Sequence, residues 1–275
     1  MKKLFSAVLA AAMCLSLAAC SGKPAEGGSD SDLDYVKNNG KMVIGYTVYE
    51  PMNYTDENGV FTGFDTELAT KVCEELGVEP VFQKIDWQTK EVELAGKSID
   101  CIWNGMTLDP EREANMNCTN PYVKNAQVVV VKKGTQYTDT ASLIGKTVVA
   151  EAGSAGEVQI RGNDETKPDA NLAQANYVSK DVQTACLMEV KAGTADAAVL
   201  DWTLAKSMVG EGTDFADLKM IEGVELATEE YGIAFRQGSD FTAKVDEAVK
   251  ALVADGTLPA LAEKYGLALA PAIAG

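Results

Sequence analysis

Residues 98–122 read SIDCIWNGMTLDPEREANMNCTNPY, and the way this stretch folds dictates how the rest of the chain is assembled. Ile99 to Trp103 is apolar enough for a buried strand, and Asn104-Gly105 is a turn signal that predicts its end. Asp109-Pro110 predicts a helix start, with the aspartate as N-cap and the proline at the first helical position. A strand that stops at Gly105-Met106-Thr107 leaves backbone N–H groups and the Thr107 hydroxyl at its carboxyl end. In open α/β sheets that end is where ligands bind. Arg112 falls in the first turn of the helix, where the dipole favours anions and opposes a cation. Two readings stay open: an anion held by Thr107 and Arg112 together, or a solvated surface arginine.

On the N-terminal side, Met42 to Gly45 predicts a strand and Thr55 to Gly59 a turn, with Val60 to Phe64 a short second element. Asp65 reads as the cap of a helix from Thr66 to Leu76 that stops at Gly77. A strand from Val78 to Ile85 and a helix around Gln88 to Ala95 lead into the quoted stretch. On the C-terminal side, Gln127 to Val131 is an extended apolar run, after which the β/α pattern restarts. Strands are expected at 147–150, 176–178 and 197–200, and helices after Gly153, over 182–191 and over 202–208. A second extended run, Tyr231 to Phe235, precedes two amphipathic helices. The alternation predicts an α/β fold of two lobes, each a mostly parallel sheet flanked by helices, joined by two crossing strands.

Composition narrows the chemistry. The chain has 275 residues, 46% hydrophobic, enough for one large domain or two ordinary ones. Its formal charge of −17 disfavours nucleic acid and anionic lipid headgroups, both of which need a basic face. With no histidine, His-based triads, the usual zinc sites and imidazole acid–base catalysis are excluded. No cofactor or metal is expected. Cys73, Cys101, Cys118 and Cys186 lack C-x-x-C spacing and read as small buried hydrophobes, with a Cys101–Cys118 disulfide as the alternative.

At the N-terminus, Lys2 and Lys3 precede the apolar run Leu4 to Met13, and small residues lead up to Cys20. Residues 1–19 therefore read as a signal peptide. Leu17-Ala18-Ala19-Cys20 resembles the lipobox of bacterial lipoproteins, which implies acylation of Cys20 and a lipid anchor. A plain secretory signal is the alternative. Residues 20–35 read as a flexible tether, Ser21 to Asp32 having almost no apolar content.

From Met42 to Gly266 the ordered motifs resemble the family-3 solute-binding proteins of bacterial amino-acid ABC importers. The resemblance rests on Gly63-Phe64-Asp65, Ile99-Asp100, Gly105-Met106-Thr107 with Arg112, and Pro121-Tyr122. It continues through Gly145-Lys146-Thr147-Val148, Gly153-Ser154, Ala195-Asp196-Ala197 before Asp201, and Lys264-Tyr265. The implied lobes are residues 36–125 with 232–270, and residues 126–231. By that resemblance Arg112 takes a ligand α-carboxylate, helped by Thr107, and the Gly105 carbonyl accepts from the α-ammonium. The Ser154 and Ala155 amides close over the carboxylate, and Asp201 pairs with the ammonium. Tyr49 and Trp87 match aromatic walls around the ligand side chain, and Tyr122 a hinge-packing residue.

Other readings of the same residues stay open: Asp201 as an ordinary helix cap, Tyr49 and Trp87 as core aromatics, Glu50 as a solvated rim residue. Relatives selective for basic amino acids carry an acid where this chain has Tyr46, so basic ligands are disfavoured; Glu151, and Glu50 in the same way, are the residues that would restore a negative contact or donate to an amide. The resemblance implies a monomeric, extracytoplasmic carrier of a polar uncharged amino acid or cystine, serving a membrane ABC permease, and not an enzyme. A ligand-sensing lipoprotein and an exported dehydratase-like enzyme on the same scaffold are the competing expectations.

Overall fold

A computed structural model of the protein describes residues 31–273; the signal segment and Cys20 lie outside the described residues. The first half runs α1 (Asp32–Asn39), β1 (Lys41–Tyr46), β2 (Tyr54–Thr55), β3 (Phe61–Thr62), α2 (Phe64–Leu76) and β4 (Glu79–Lys84). A 3-10 turn (Trp87–Thr89) leads to α3 (Lys90–Ala95), β5 (Cys101–Thr107), α4 (Pro110–Asn115), β6 (Asn117–Cys118) and β7 (Val123–Lys132). The chain continues through β8 (Thr147–Glu151), α5 (Ala155–Arg161), β9 (Asn176–Lys180), α6 (Gln183–Ala192), β10 (Ala197–Asp201) and α7 (Trp202–Met208). It closes with β11 (Leu218–Phe235), α8 (Phe241–Ala254) and α9 (Thr257–Tyr265).

Among the described residues nine strands share one sheet in the order β4-β1-β5-β11-β7-β10-β8-β9, with β6 beside β11, and β2 pairs separately with β3. β1 is parallel to β4 and β5, and β8 is parallel to β9 and β10. Between these parallel groups, β7 and β11 run antiparallel to each other along most of their length. The expected α/β class, with two parallel groups joined by two crossing strands, is therefore what the structure shows. Every residue of β5 and β10 is buried, as strands covered by helices on both faces must be.

Local signals and tertiary contacts disagree at three places. β5 does not stop at Asn104-Gly105 but runs on to Thr107. The Asn104 amide donates to the Thr47 carbonyl and accepts from the Thr47 N–H, bridging neighbouring segments where a turn was expected. Gly105 has φ +57°, and a Cβ there would sit 2.7 Å from a Tyr49 ring carbon, so glycine serves the close approach rather than a chain reversal.

Asp65 does not cap α2, which begins one residue earlier. It is buried, accepts from the Tyr122 hydroxyl at 2.9 Å and from the Gly105 N–H at 2.6 Å, and so fixes the site strand. Burial pushes its carboxyl up to about 7. α1 starts at Asp32, inside the stretch read as tether, because Arg236 binds the Asp32 carboxylate through Nε at 3.0 Å. All four described cysteines are free thiols, so Cys101 and Cys118 are not bridged.

Candidate functional site

The carboxyl ends of β1, β4, β5, β8 and β10, with the loops that follow them, converge on one narrow cavity. Nine of the residues singled out from the sequence line it: Arg112, Thr107, Gly105, Asp201, Ser154, Ala155, Tyr49, Trp87 and Glu151. Thr47, Asn104 and Gln183 complete the wall.

Tyr46 is not among them. Its ring packs on Phe61 at 4.9 Å and Phe82 at 6.3 Å between centroids. Successive side chains of an extended segment face opposite ways, so Thr47, the next residue, takes the cavity position. Glu50 also stays out of the lining and accepts from the Ser207 hydroxyl at 2.9 Å.

Arg112 is 5% exposed, which removes the surface-arginine reading. Asp109 caps α4 by accepting the Arg112 backbone N–H at 2.9 Å, and its other oxygen lies 3.2 Å from Arg112 Nε. Nη1 donates to the Thr107 carbonyl at 2.8 Å and Nη2 to the Gly153 carbonyl at 3.1 Å. Each terminal nitrogen has a second N–H beyond these bonds.

Asp201, 6% exposed, stands at the N-cap position of α7, yet its side chain makes no capping bond. Oδ1 accepts from Asn125 at 2.5 Å, Gln127 at 2.8 Å and the Tyr231 hydroxyl at 2.9 Å, and Oδ2 accepts from the Gln183 amide. Burial raises its carboxyl while these neutral donors oppose the rise. Among the described residues no cation pairs with it at salt-bridge distance.

Glu151 ends β8 with 3% exposure, and its Oε1 has no hydrogen-bond partner. Burial, then the Asp201 charge, pushes it up to about 8, against the pull of Lys90. An acid raised in the folded state contributes stability that is complete below its unfolded pKa and lost as pH rises through the folded value. Ligand-free Glu151→Gln is therefore expected to match the parent's melting temperature only near pH 4, to pull ahead as pH rises toward about 8, and to exceed it by at least about 2 °C at pH 9. Parallel melting curves across that range would mean that Glu151 does not titrate there.

The remaining lining residues are held from both parallel groups. The Tyr49 hydroxyl bonds to Tyr231 at 2.5 Å and to Thr203. The Lys90 ammonium stands 5.0 Å from the Trp87 ring centroid and donates to the Trp87 and Gly153 carbonyls at 3.2 and 3.1 Å. Burial, then the Arg112 charge, lowers Lys90 to about 7. The Ser154 hydroxyl caps α5 by accepting the Glu157 N–H at 3.1 Å. The Ser154 N–H is already given to the Glu151 carbonyl at 3.2 Å, so the first helical amide, that of Ala155, is the better placed of the two for a ligand.

Sequence reasoning passed over Asn125, Gln127 and Gln183, the amides that hold Asp201. One signal was legible: Asn125 and Gln127 are two apart in an apolar strand, hence on one face. Gln183 shows no such signal, being one of several polar residues in its segment.

The family model described as bacterial extracellular solute-binding proteins, family 3, matches residues 42–268. The L-cystine-binding protein TcyJ of Escherichia coli is 29% identical over 237 residues, covering 85% of each chain. The arginine-binding extracellular protein ArtP of Bacillus subtilis is 28% identical over 270 residues, covering 96% of this chain and 98% of its own. A histidine-bound substrate-binding protein of an ABC uptake transporter from Streptococcus pneumoniae superposes with a TM-score of 0.76. Its identity is 31%, with 86% of this chain and 97% of that one covered.

Proposed function

The chain belongs to family 3 of the bacterial extracellular solute-binding proteins, and from that premise we propose that it captures one free amino acid outside the cytoplasm for an ABC permease. Residues 36–125 with 232–270 form one lobe and residues 126–231 the other, with β7 and β11 as the hinge about which they close. Acylated Cys20 anchors the carrier to the membrane. The observation that carries this reading is a buried guanidinium and a buried carboxylate lining one cavity, each held by other groups and not paired with the other. A zwitterion is the simplest guest that satisfies both. A micromolar dissociation constant requires only about −8 kcal/mol, the scale of such a pair plus an aromatic contact.

The ligand side chain is polar and uncharged, or the ligand is cystine. Arg112 and Asp201 balance a zwitterion. Glu151, pushed up to about 8, is mostly a neutral acid at pH 7 and supplies a donor and an acceptor rather than a charge. Thr47, Asn104 and Gln183 add neutral polar groups, and Tyr49 and Trp87 the apolar faces. The compared relatives carry names for cystine, arginine and histidine binding, so family membership leaves the side chain open.

A thermal-shift screen against the common amino acids and cystine tests the assignment. Glutamine, asparagine, serine, threonine or cystine is expected to give the largest rise in melting temperature. Arginine or lysine in first place would make Glu151 an ionised counter-charge and overturn the neutral assignment.

A further inference from the structure

Glu229, on the crossing strand β11, is not a residue that the sequence singles out. β11 pairing puts Tyr231 opposite Thr107 and Glu229 opposite Asn125, so the acid stands behind Thr107, outside the cavity lining and joined to it through the threonine hydroxyl. Its side chain is buried, Oε2 is hydrogen-bonded to the Thr107 hydroxyl, and Oε1 has no partner. The charged and titratable groups facing it are Asp201 at the end of β10, Arg112 on α4, and the Tyr49 and Tyr231 phenols; Gln127 of β7 is its polar neighbour.

A threonine hydroxyl has a single hydrogen. If Glu229 is a carboxylate, that hydrogen is committed to it. The ligand carboxylate would then meet oxygen lone pairs on Thr107, with a second buried anion behind them. If Glu229 is a carboxylic acid, its O–H donates to Thr107 Oγ1, and the threonine hydrogen turns toward the cavity. On the reading that Arg112 and Thr107 take the α-carboxylate, we propose that Glu229 is a positioning residue acting as a neutral acid, which orients the Thr107 hydroxyl to donate to the ligand. The orphaned Oε1 fits this role, because a buried carboxylate would want donors on both oxygens.

Burial and the Asp201 charge push Glu229 up to about 7, so the proton is available around neutrality. A ligand carboxylate arriving nearby raises it further. Binding that needs this proton is complete below the free-protein value and weakens as pH rises through it, by up to tenfold per pH unit. Asp201 imposes the opposite trend, because an ammonium favours its ionised form. The informative quantity is therefore the ratio between the protein and a variant that differs only at position 229.

Glu229→Gln keeps a donor to Thr107 Oγ1 that cannot ionise. Calorimetry of the full chain with L-glutamine and with L-cystine is expected to give Glu229→Gln an affinity within about threefold of the parent at pH 6. The ratio is expected to shift in favour of Glu229→Gln by about tenfold or more at pH 9. Glu229→Leu, which cannot donate, is expected to bind about tenfold or more weaker than Glu229→Gln at both pH values, the scale of one hydrogen bond to a charged group. A loss of more than about tenfold in a folded Glu229→Gln at pH 6, or a ratio that does not change with pH, overturns the proposal. Carboxyl 13C NMR of the ligand-free protein decides the matter even if the variants unfold: a Glu229 already ionised at pH 5.5 overturns it. Failure of the parent to bind any amino acid would count against the zwitterion reading itself, whereas a selective loss in Glu229→Gln counts only against the proton.

Discussion

Arg112→Ala is expected to remove amino-acid binding from a calorimetric titration, a loss of about 3–5 kcal/mol. That is roughly a hundredfold to several thousandfold in affinity. The size follows from what the substitution leaves behind. The guanidinium is buried and lines the cavity, and its fixed bonds go to the Thr107 and Gly153 carbonyls and to Asp109. Without it a ligand carboxylate must be desolvated with no cation beside it, except Lys90, whose ammonium is lowered to about 7 and already spans two carbonyls. The folded state suffers less. Two carbonyls lose a donor at the edge of a cavity that water can enter, and the expected fall in the ligand-free melting temperature is about 2–4 °C. Arg112→Lys keeps the charge but not the planar fork, and is expected to fall between parent and alanine. Affinity within tenfold of the parent in Arg112→Ala would remove this residue from the carboxylate role.

The same arginine shows what a linear sequence makes legible. Capping by Asp109 and Pro110 fixes where the helix starts and so puts Arg112 beside the strand end. The helix is only six residues long, however, and Arg112 also belongs to its last turn, where a cation is favoured; burial at the strand end, not the dipole, sets it apart. Asp201 was legible for a related reason. It ends an apolar strand, and in the structure it stands at a cap position without making the capping bond. The failures share a different cause. Asn104-Gly105 looks like a turn until Thr47 and Asn53 supply partners for the asparagine from some fifty residues away. Asp65 looks like a cap until the Tyr122 hydroxyl and the Gly105 amide claim it. Tyr46 and Thr47 differ by one step of strand alternation, which a short apolar run does not resolve. Glu229 lies in an 18-residue strand of which only the last five residues read as extended, since its earlier part alternates acids with half-buried apolar positions. In each case the deciding contact joins segments distant along the chain, and local preference gives way to burial.

Asp201→Asn is expected to cost about 2–5 kcal/mol in zwitterion affinity while leaving the fold in place. The carboxylate accepts from Asn125, Gln127, Tyr231 and Gln183, all neutral, so its charge is solvated by the protein but not cancelled. An ammonium entering the cavity is what cancels it. An asparagine Oδ1 can keep the bonds to Asn125, Gln127 and Tyr231, and only the meeting of its Nδ2 with the Gln183 amide is unfavourable. The remaining loss is electrostatic, and a second ligand isolates it. A des-amino analogue of the bound amino acid keeps the carboxylate and side chain but has no ammonium. It is expected to bind the parent weakly, to be nearly indifferent to Asp201→Asn, and to remain sensitive to Arg112→Ala. The coupling between the ligand's amino group and the charge at position 201 is then the difference between the two losses. Equal losses for both ligands would mean that the asparagine distorts the cavity. No loss for the zwitterion would move the ammonium to Glu151, whose Oε1 stands unpartnered on the same wall.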